Sequence, residues 1–138
     1  MNEGYEQLIN DLNLDVLVID THPGLNEETL LSVAISDALA VIMRPDQQDY
    51  QGTSVTIEVA RKLNVPRMLL IVNKAPQSLD FVALKKEVGN IYQIPVGAII
   101  PHSDEMMILA SAGIFSLRYP DHEVARLYQD ISQQLIAV

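Results

Sequence analysis

Four short apolar runs recur along the chain, separated by segments with helical spacing. They lie at 16–19, closed by Asp20; at 38–43, closed by Arg44 and Pro45; at 68–72, closed by Asn73 and Lys74; and at 96–100, closed by Pro101. Runs without polar alternation predict strands buried on both faces, the habit of parallel sheets. Between them, Tyr5, Leu8, Ile9 and Leu12 fall on one helical face, as do Phe81, Leu84, Val88 and Ile91. Asn26 reads as an N-cap, with Glu27 and Glu28 at the positive end of the helix that follows. Met106, Leu109 and Ala110 make a short stripe stopped by Gly113, and Val124, Leu127, Ile131 and Leu135 a terminal one. The segment 54–63 alternates locally like a strand through Val55, Ile57 and Val59. Its continuation through Ala60, Arg61 and Lys62, between two strands, predicts a helix. The order α-β-α-β-α-β-α-β-α-α predicts an α/β fold: a three-layer α/β/α domain with a mainly parallel sheet and right-handed crossovers.

Length and composition narrow this picture. A chain of 138 residues has room for a single domain over 1–138, and a 49% apolar share supplies a core. Nine basic against eighteen acidic side chains give a net charge of −9. That balance carries no strong nucleic-acid signal and argues against an anionic lipid surface. Lys85, Lys86, Arg118 and Arg126 are the cations available for a local patch. Without cysteine, thiol catalysis and thiolate metal sites are excluded. The first seven residues hold two Glu and no apolar run, and no stretch reaches the about 18 apolar residues of a spanning helix. The expectation is a cytoplasmic domain.

In a parallel sheet, ligands bind outside the carboxyl ends of the strands, so the four strand ends are read together. An apolar run feeding into Asp20 puts a carboxylate where it can hold magnesium through water, and Gly24 can bring a backbone N–H against a phosphate. Taken alone, this arrangement more often marks a capped strand end. Asn73 can offer a donor and an acceptor to a purine edge, or simply make a turn before a solvated Lys74. Pro101 can lie beside the same base, or merely stop a strand. His22, His102 and His122 are too scattered for a metal site, and Ser54, Ser103 and Ser111 lack a nucleophile-elbow context.

In order and spacing these pieces resemble the MinD/ParA-type deviant Walker ATPases, closer to the MinD branch. The resemblance runs from about Leu8 to about Leu135. It rests on Asp20-Thr21-His22-Pro23-Gly24-Leu25-Asn26-Glu27-Glu28, Pro45-Asp46, Val72-Asn73-Lys74, Val96 through Pro101, and Ala110-Ser111-Ala112-Gly113. It implies a P-loop-type fold that binds ATP or ADP with Mg²⁺. Asp20 would hold the magnesium-bound water, Gly24 would face the γ-phosphate, and Asn73 and Pro101 would meet adenine. The implied role is cell-division site selection or the positioning of chromosomes, plasmids or organelles. His22 stands where the family has proline, Ser103 where it often has a carboxylate, Phe115 where proline is common, and Arg44 where a small residue is usual.

The family's phosphate-cradling loop, KGGxGK[ST], does not occur in these residues. The six glycines are Gly4, Gly24, Gly52, Gly89, Gly97 and Gly113, and the closest pair is eight apart. Phosphoryl transfer depends on holding the phosphates, so the chain alone is expected not to hydrolyse ATP. It reads as the C-terminal portion of such a fold, working as a homodimer or with an N-terminal P-loop half. Membrane targeting through a basic amphipathic tail after the last helical stripe is not expected. The missing neighbour strand would leave a gap, or let the runs at 16–19 and 38–43 pair directly. Two alternatives stay open: a non-catalytic interaction or dimerisation module that keeps the fold without nucleotide, and a flavodoxin-like small-molecule-binding domain that does not depend on Asn73.

Overall fold

The computed structural model describes residues 2–137. Three strands, β1 (Ala38–Met43), β2 (Arg67–Ala75) and β3 (Val96–Pro101), form one all-parallel sheet in the order β1-β2-β3. Seven helices accompany it among the described residues: α1 (Asn2–Leu12), α2 (Glu27–Ile35), α3 (Gln47–Lys62), α4 (Phe81–Tyr92), α5 (Asp104–Leu109), α6 (Phe115–Arg118) and α7 (Glu123–Ile136). None of them is long and apolar enough to cross a membrane.

The central strand shows why the layers form. Its side chains alternate between faces, and both faces are buried. Leu70 and Val72 join Val41, Met43 and Ile99 beneath Ile57 of α3 and Leu84 and Val88 of α4. Leu69 and Ile71 turn the other way, joining Ala98 and Ile100 beneath Phe115 of α6 and Val124 and Ile131 of α7. This is the expected three-layer α/β/α arrangement. A smaller cluster of Val33, Ala60 and Val65 fastens α2 to the end of α3. The Tyr92 hydroxyl donates to the Tyr50 carbonyl at 2.8 Å, tying the crossover helix α4 to α3.

Helix starts follow local chemistry. Asn26 accepts from the Thr29 amide at 2.8 Å, as expected, and Glu27 and Glu28 occupy the first turn. The ambiguous 54–63 segment is helical, but α3 begins earlier, where Asp46 accepts from the Asp49 amide at 3.0 Å. Asp80 caps α4 by accepting from the amides of Val82 and Ala83.

Three expectations need correction. The run at 16–19 is not a strand: residues 14–26 form neither helix nor strand, and among the described residues β1 pairs with β2 alone. A strand exists only through a ladder with a neighbour, and none of the described residues supplies one to this run. Val16 and Val18 are consequently exposed, Val18 by 84%. Of the two outcomes foreseen for the missing neighbour, direct pairing with β1 does not occur.

The second correction concerns the strand ends. β2 runs on through Asn73 and Lys74 to Ala75, and β3 includes Pro101, so these residues lie within the strands rather than after them. Third, α5 stops at Ala110 rather than Gly113. Ala110 holds φ 45° and ψ −124°, a backbone conformation that suits glycine. Ala110→Gly is therefore expected to stabilise the domain by about 0.5–1 kcal/mol in urea unfolding, reversing the usual penalty for glycine near a helix. A loss of stability would show that this turn is not strained.

Candidate functional site

All three strands end on one side of the sheet. There β1 delivers Arg44, Pro45 and Asp46; β2 delivers Asn73, Lys74 and Ala75; and β3 delivers Pro101, His102 and Ser103. Loops on this side are where an α/β sheet holds its ligands.

The β1 end is built by charge. The Arg44 backbone N–H donates to Asp49 Oδ2 at 2.8 Å, and its Nε lies 3.3 Å from a carboxylate oxygen of Asp49 and of Asp46. The Arg44 amide first, and its guanidinium next, hold the Asp49 carboxyl below the usual aspartate range. The hydrogen bond and charge of Asp49 raise the Arg44 guanidinium in turn. Sequence reading singled out Arg44 and Asp46 but missed Asp49. The spacing of Asp46 and Asp49, cap and third helical position, was the signal that marks it.

The ends of β2 and β3 are joined. The register between them shifts from Val72 to Ala75, and Lys74 takes φ 53° in that bulge. The bulge re-aims the strand end, which is the usual consequence of an extra residue. Asn73 is half-buried, and its Oδ1 accepts from the Lys74 amide at 2.9 Å; its NH₂ has no partner among the described residues. Pro101, buried, is the register partner of Ala75, and the His102 amide donates to the Ala75 carbonyl at 2.9 Å. Gln77 Nε2 reaches the His102 carbonyl at 3.4 Å, and His102 Nε2 lies 3.4 Å from Asp104. Ser103 caps α5 and donates to Glu105 at 2.9 Å. Glu105's own backbone amide, followed by that hydroxyl, draws its carboxyl below the usual range.

Asn73 and Pro101 thus sit on adjacent strand ends. Asp20 and Gly24 lie elsewhere in the chain path, in the irregular segment before α2. Asp20 is exposed, and Gly24 holds φ 95°, with nothing within 4 Å of where a Cβ would stand. Backbone freedom, not space, is what glycine contributes there. The Thr29 hydroxyl donates to the His22 carbonyl at 3.4 Å, holding this loop against α2. No hydrogen bond or ion pair among the described residues links it to Asn73 or Pro101.

Two open cavities, of about 500 and 570 Å³, lie along β3 between α4 and α7, and both are lined by Lys85, Gly97 and Asp130. The first is lined mainly by exposed polar and charged side chains, the second also by Phe81, Val82, Ala98, Ile99 and Leu127, and among the described residues neither has a buried polar side chain turned inward. The strand ends, where bulge, caps and paired charges converge, remain the better candidate.

No family model matches the chain, and no solved structure does. The chain is similar to the uncharacterized ATP-binding protein MJ0547 of Methanocaldococcus jannaschii, with 26% identity over 129 residues. That alignment covers 93% of this chain and 48% of the archaeal protein, so the chain spans about half the length of the curated relative it matches.

Proposed function

We propose that the chain is the magnesium- and base-facing portion of an ATP-binding protein of the MinD/ParA type. The observation that carries this reading is the joined end of β2 and β3, which sets the free Asn73 amide beside the Pro101 loop on the ligand-bearing side of the sheet. Similarity to an ATP-binding protein along nearly the whole chain supports it.

The residues fit the group they are assigned to. Mg²⁺ commonly keeps several waters and takes only one or two carboxylates besides phosphate oxygens, and Asp20 is an exposed carboxylate with no hydrogen bond or ion pair among the described residues. Asn73 retains two N–H donors and one acceptor lone pair, enough for a purine edge. Gly24 can approach a phosphate without a side chain intervening. Magnesium, when bound, would neutralise phosphate charge. The chain's own part is to orient the base and the metal-bound water, and a phosphate cradle has to come from a further portion of the protein. The working form is a nucleotide-dependent homodimer, and the role is the positioning of a division site, chromosome, plasmid or organelle.

Titration of fluorescent ATP with magnesium tests this. The chain alone is expected to bind weakly, and addition of a P-loop-bearing portion to strengthen binding and restore hydrolysis. Asp20→Ala should then abolish hydrolysis, and Asn73→Ala should weaken ATP by about tenfold, the loss of one or two hydrogen bonds. Binding that is absent with and without that portion would favour the interaction-module reading instead.

A further inference from the structure

Lys85 and Lys86 are cations that neither the core nor the strand-end site uses. Both are exposed, and among the described residues neither enters an ion pair. They stand on α4 beside the outer edge of β3, which pairs with β2 on one side and, among the described residues, with no strand on the other. α4 and α7 pack on opposite faces of the sheet, and the two open cavities lie between them along this edge. Both cavities are lined by Lys85, Gly97 and Asp130, so they join into one trough running along β3.

The floor of the trough is the edge of β3 at 97–99. Outside the β2 ladder, the Gly97 carbonyl takes a contact from Gln134 Nε2 at 3.4 Å, a donor it shares with the Asp130 carbonyl at 3.2 Å. No other hydrogen bond from outside that ladder reaches 97–99 among the described residues. The α4 wall is ordered. Phe81 and Val82, the latter 82% exposed, come first, and Lys85 and Lys86 follow one turn on. α7 adds Leu127 on the apolar part, then Asp130. One helical turn is about 5.4 Å, close to the about 6.6 Å between side chains on the same face of an extended chain.

We propose that this trough docks an extended peptide segment of a partner protein, carrying an apolar residue and, two positions from it, an acidic one. The segment adds to the free edge of β3, the mode by which exposed sheet edges take peptides. Its apolar side chain meets Phe81, Val82 and Leu127, and its carboxylate meets Lys85 and Lys86. A trough open along its length suits such a chain better than a compact small molecule, which needs a site that encloses most of its surface. Charge selects the occupant. A second copy of this edge would bring the same two lysines and be repelled, whereas an acidic segment is drawn in. Asp130 on the α7 wall in turn disfavours acid at the intervening position. The proposal requires no nucleotide and stands apart from the strand-end reading.

The test titrates the isotope-labelled chain with a blocked heptapeptide, Thr-Glu-Thr-Leu-Thr-Glu-Thr, whose acids flank the leucine in either chain direction. Saturable shifts are expected in the amides at 97–99 and along α4. Affinity should be at least about tenfold above that for the same peptide with lysine in place of glutamate, and about fivefold above that with serine in place of leucine. Lys85→Glu should weaken binding about five- to tenfold without moving the urea midpoint, because the side chain is exposed. Lys62→Glu, an equal change of net charge on α3, should leave it within about twofold. Absence of saturable shifts, indifference to peptide charge, or equal effects of the two lysine reversals would overturn the proposal. So would decanoate binding as tightly as the peptide, which assigns the trough to a small amphiphile, or a dimer in sedimentation that Lys85→Glu alters, which assigns it to a second copy.

Discussion

Leu70→Ala is expected to cost about 2–5 kcal/mol in urea unfolding, as large-to-small changes in well-packed cores do. Leu70 lies near the middle of the central strand, with no solvent exposure. It lies under α3 and α4 in the cluster that includes Ile57, Leu84 and Val88. Truncation leaves a cavity bounded by two strands and two helices, none free to collapse into it without breaking a ladder or a helix contact. Ile42→Ala, one strand away, is the internal comparison, since its side chain is already largely in water. Equal costs at the two positions would contradict the layering.

A second large effect is expected at Gly97, where propensity and packing predict opposite signs. By β propensity alone, valine in place of a strand glycine should stabilise by up to about 1 kcal/mol. A Cβ at Gly97, however, would stand 2.7 Å from Leu69 Cδ2 and 2.8 Å from Leu69 Cγ. The second contact decides the matter, because Cγ cannot move by a change of the terminal rotor, and Leu69 is buried among Ile71, Ala98 and Val124. Gly97→Val should therefore destabilise by about 1–3 kcal/mol. Combined with Leu69→Ala it should cost clearly less than the sum of the two single changes, since the methyls then fill the vacated space. Additivity in that cycle, or a rise in stability for the single variant, would show that the strands sit further apart.

What was legible in the sequence was what depends on local pattern. The apolar runs at 38–43, 68–72 and 96–100 are strands, the spaced stripes are helices, and Asn26 is a cap, because burial on two faces, 3.6-residue spacing and side-chain capping are each written within a few residues. The run at 16–19 has the same local signature and fails because a strand needs a neighbour, which its own residues cannot reveal. α6 was not foreseen: Phe115–Arg118 is a single turn, too short for periodicity to register. For the site, Asn73 and Pro101 were legible as strand-end residues, while the bulge at Lys74 that draws β2 alongside Pro101 was not. That bulge depends on the register between two strands more than twenty residues apart. The Arg44–Asp49 pair escaped notice because a helix-start aspartate normally serves its own helix, and here it also reaches back to the strand.

β1, paired on one side alone among the described residues, bears on how the chain behaves in solution. Copies meeting at that edge are kept apart by like charge, since each carries −9 at neutral pH. Acidification toward the isoelectric point of about 4.5 removes that repulsion while the apolar strand stays unguarded. Colloidal stability should thus fail on the acid side, by strand-to-strand stacking into β-rich precipitate, before the packed layers themselves unfold.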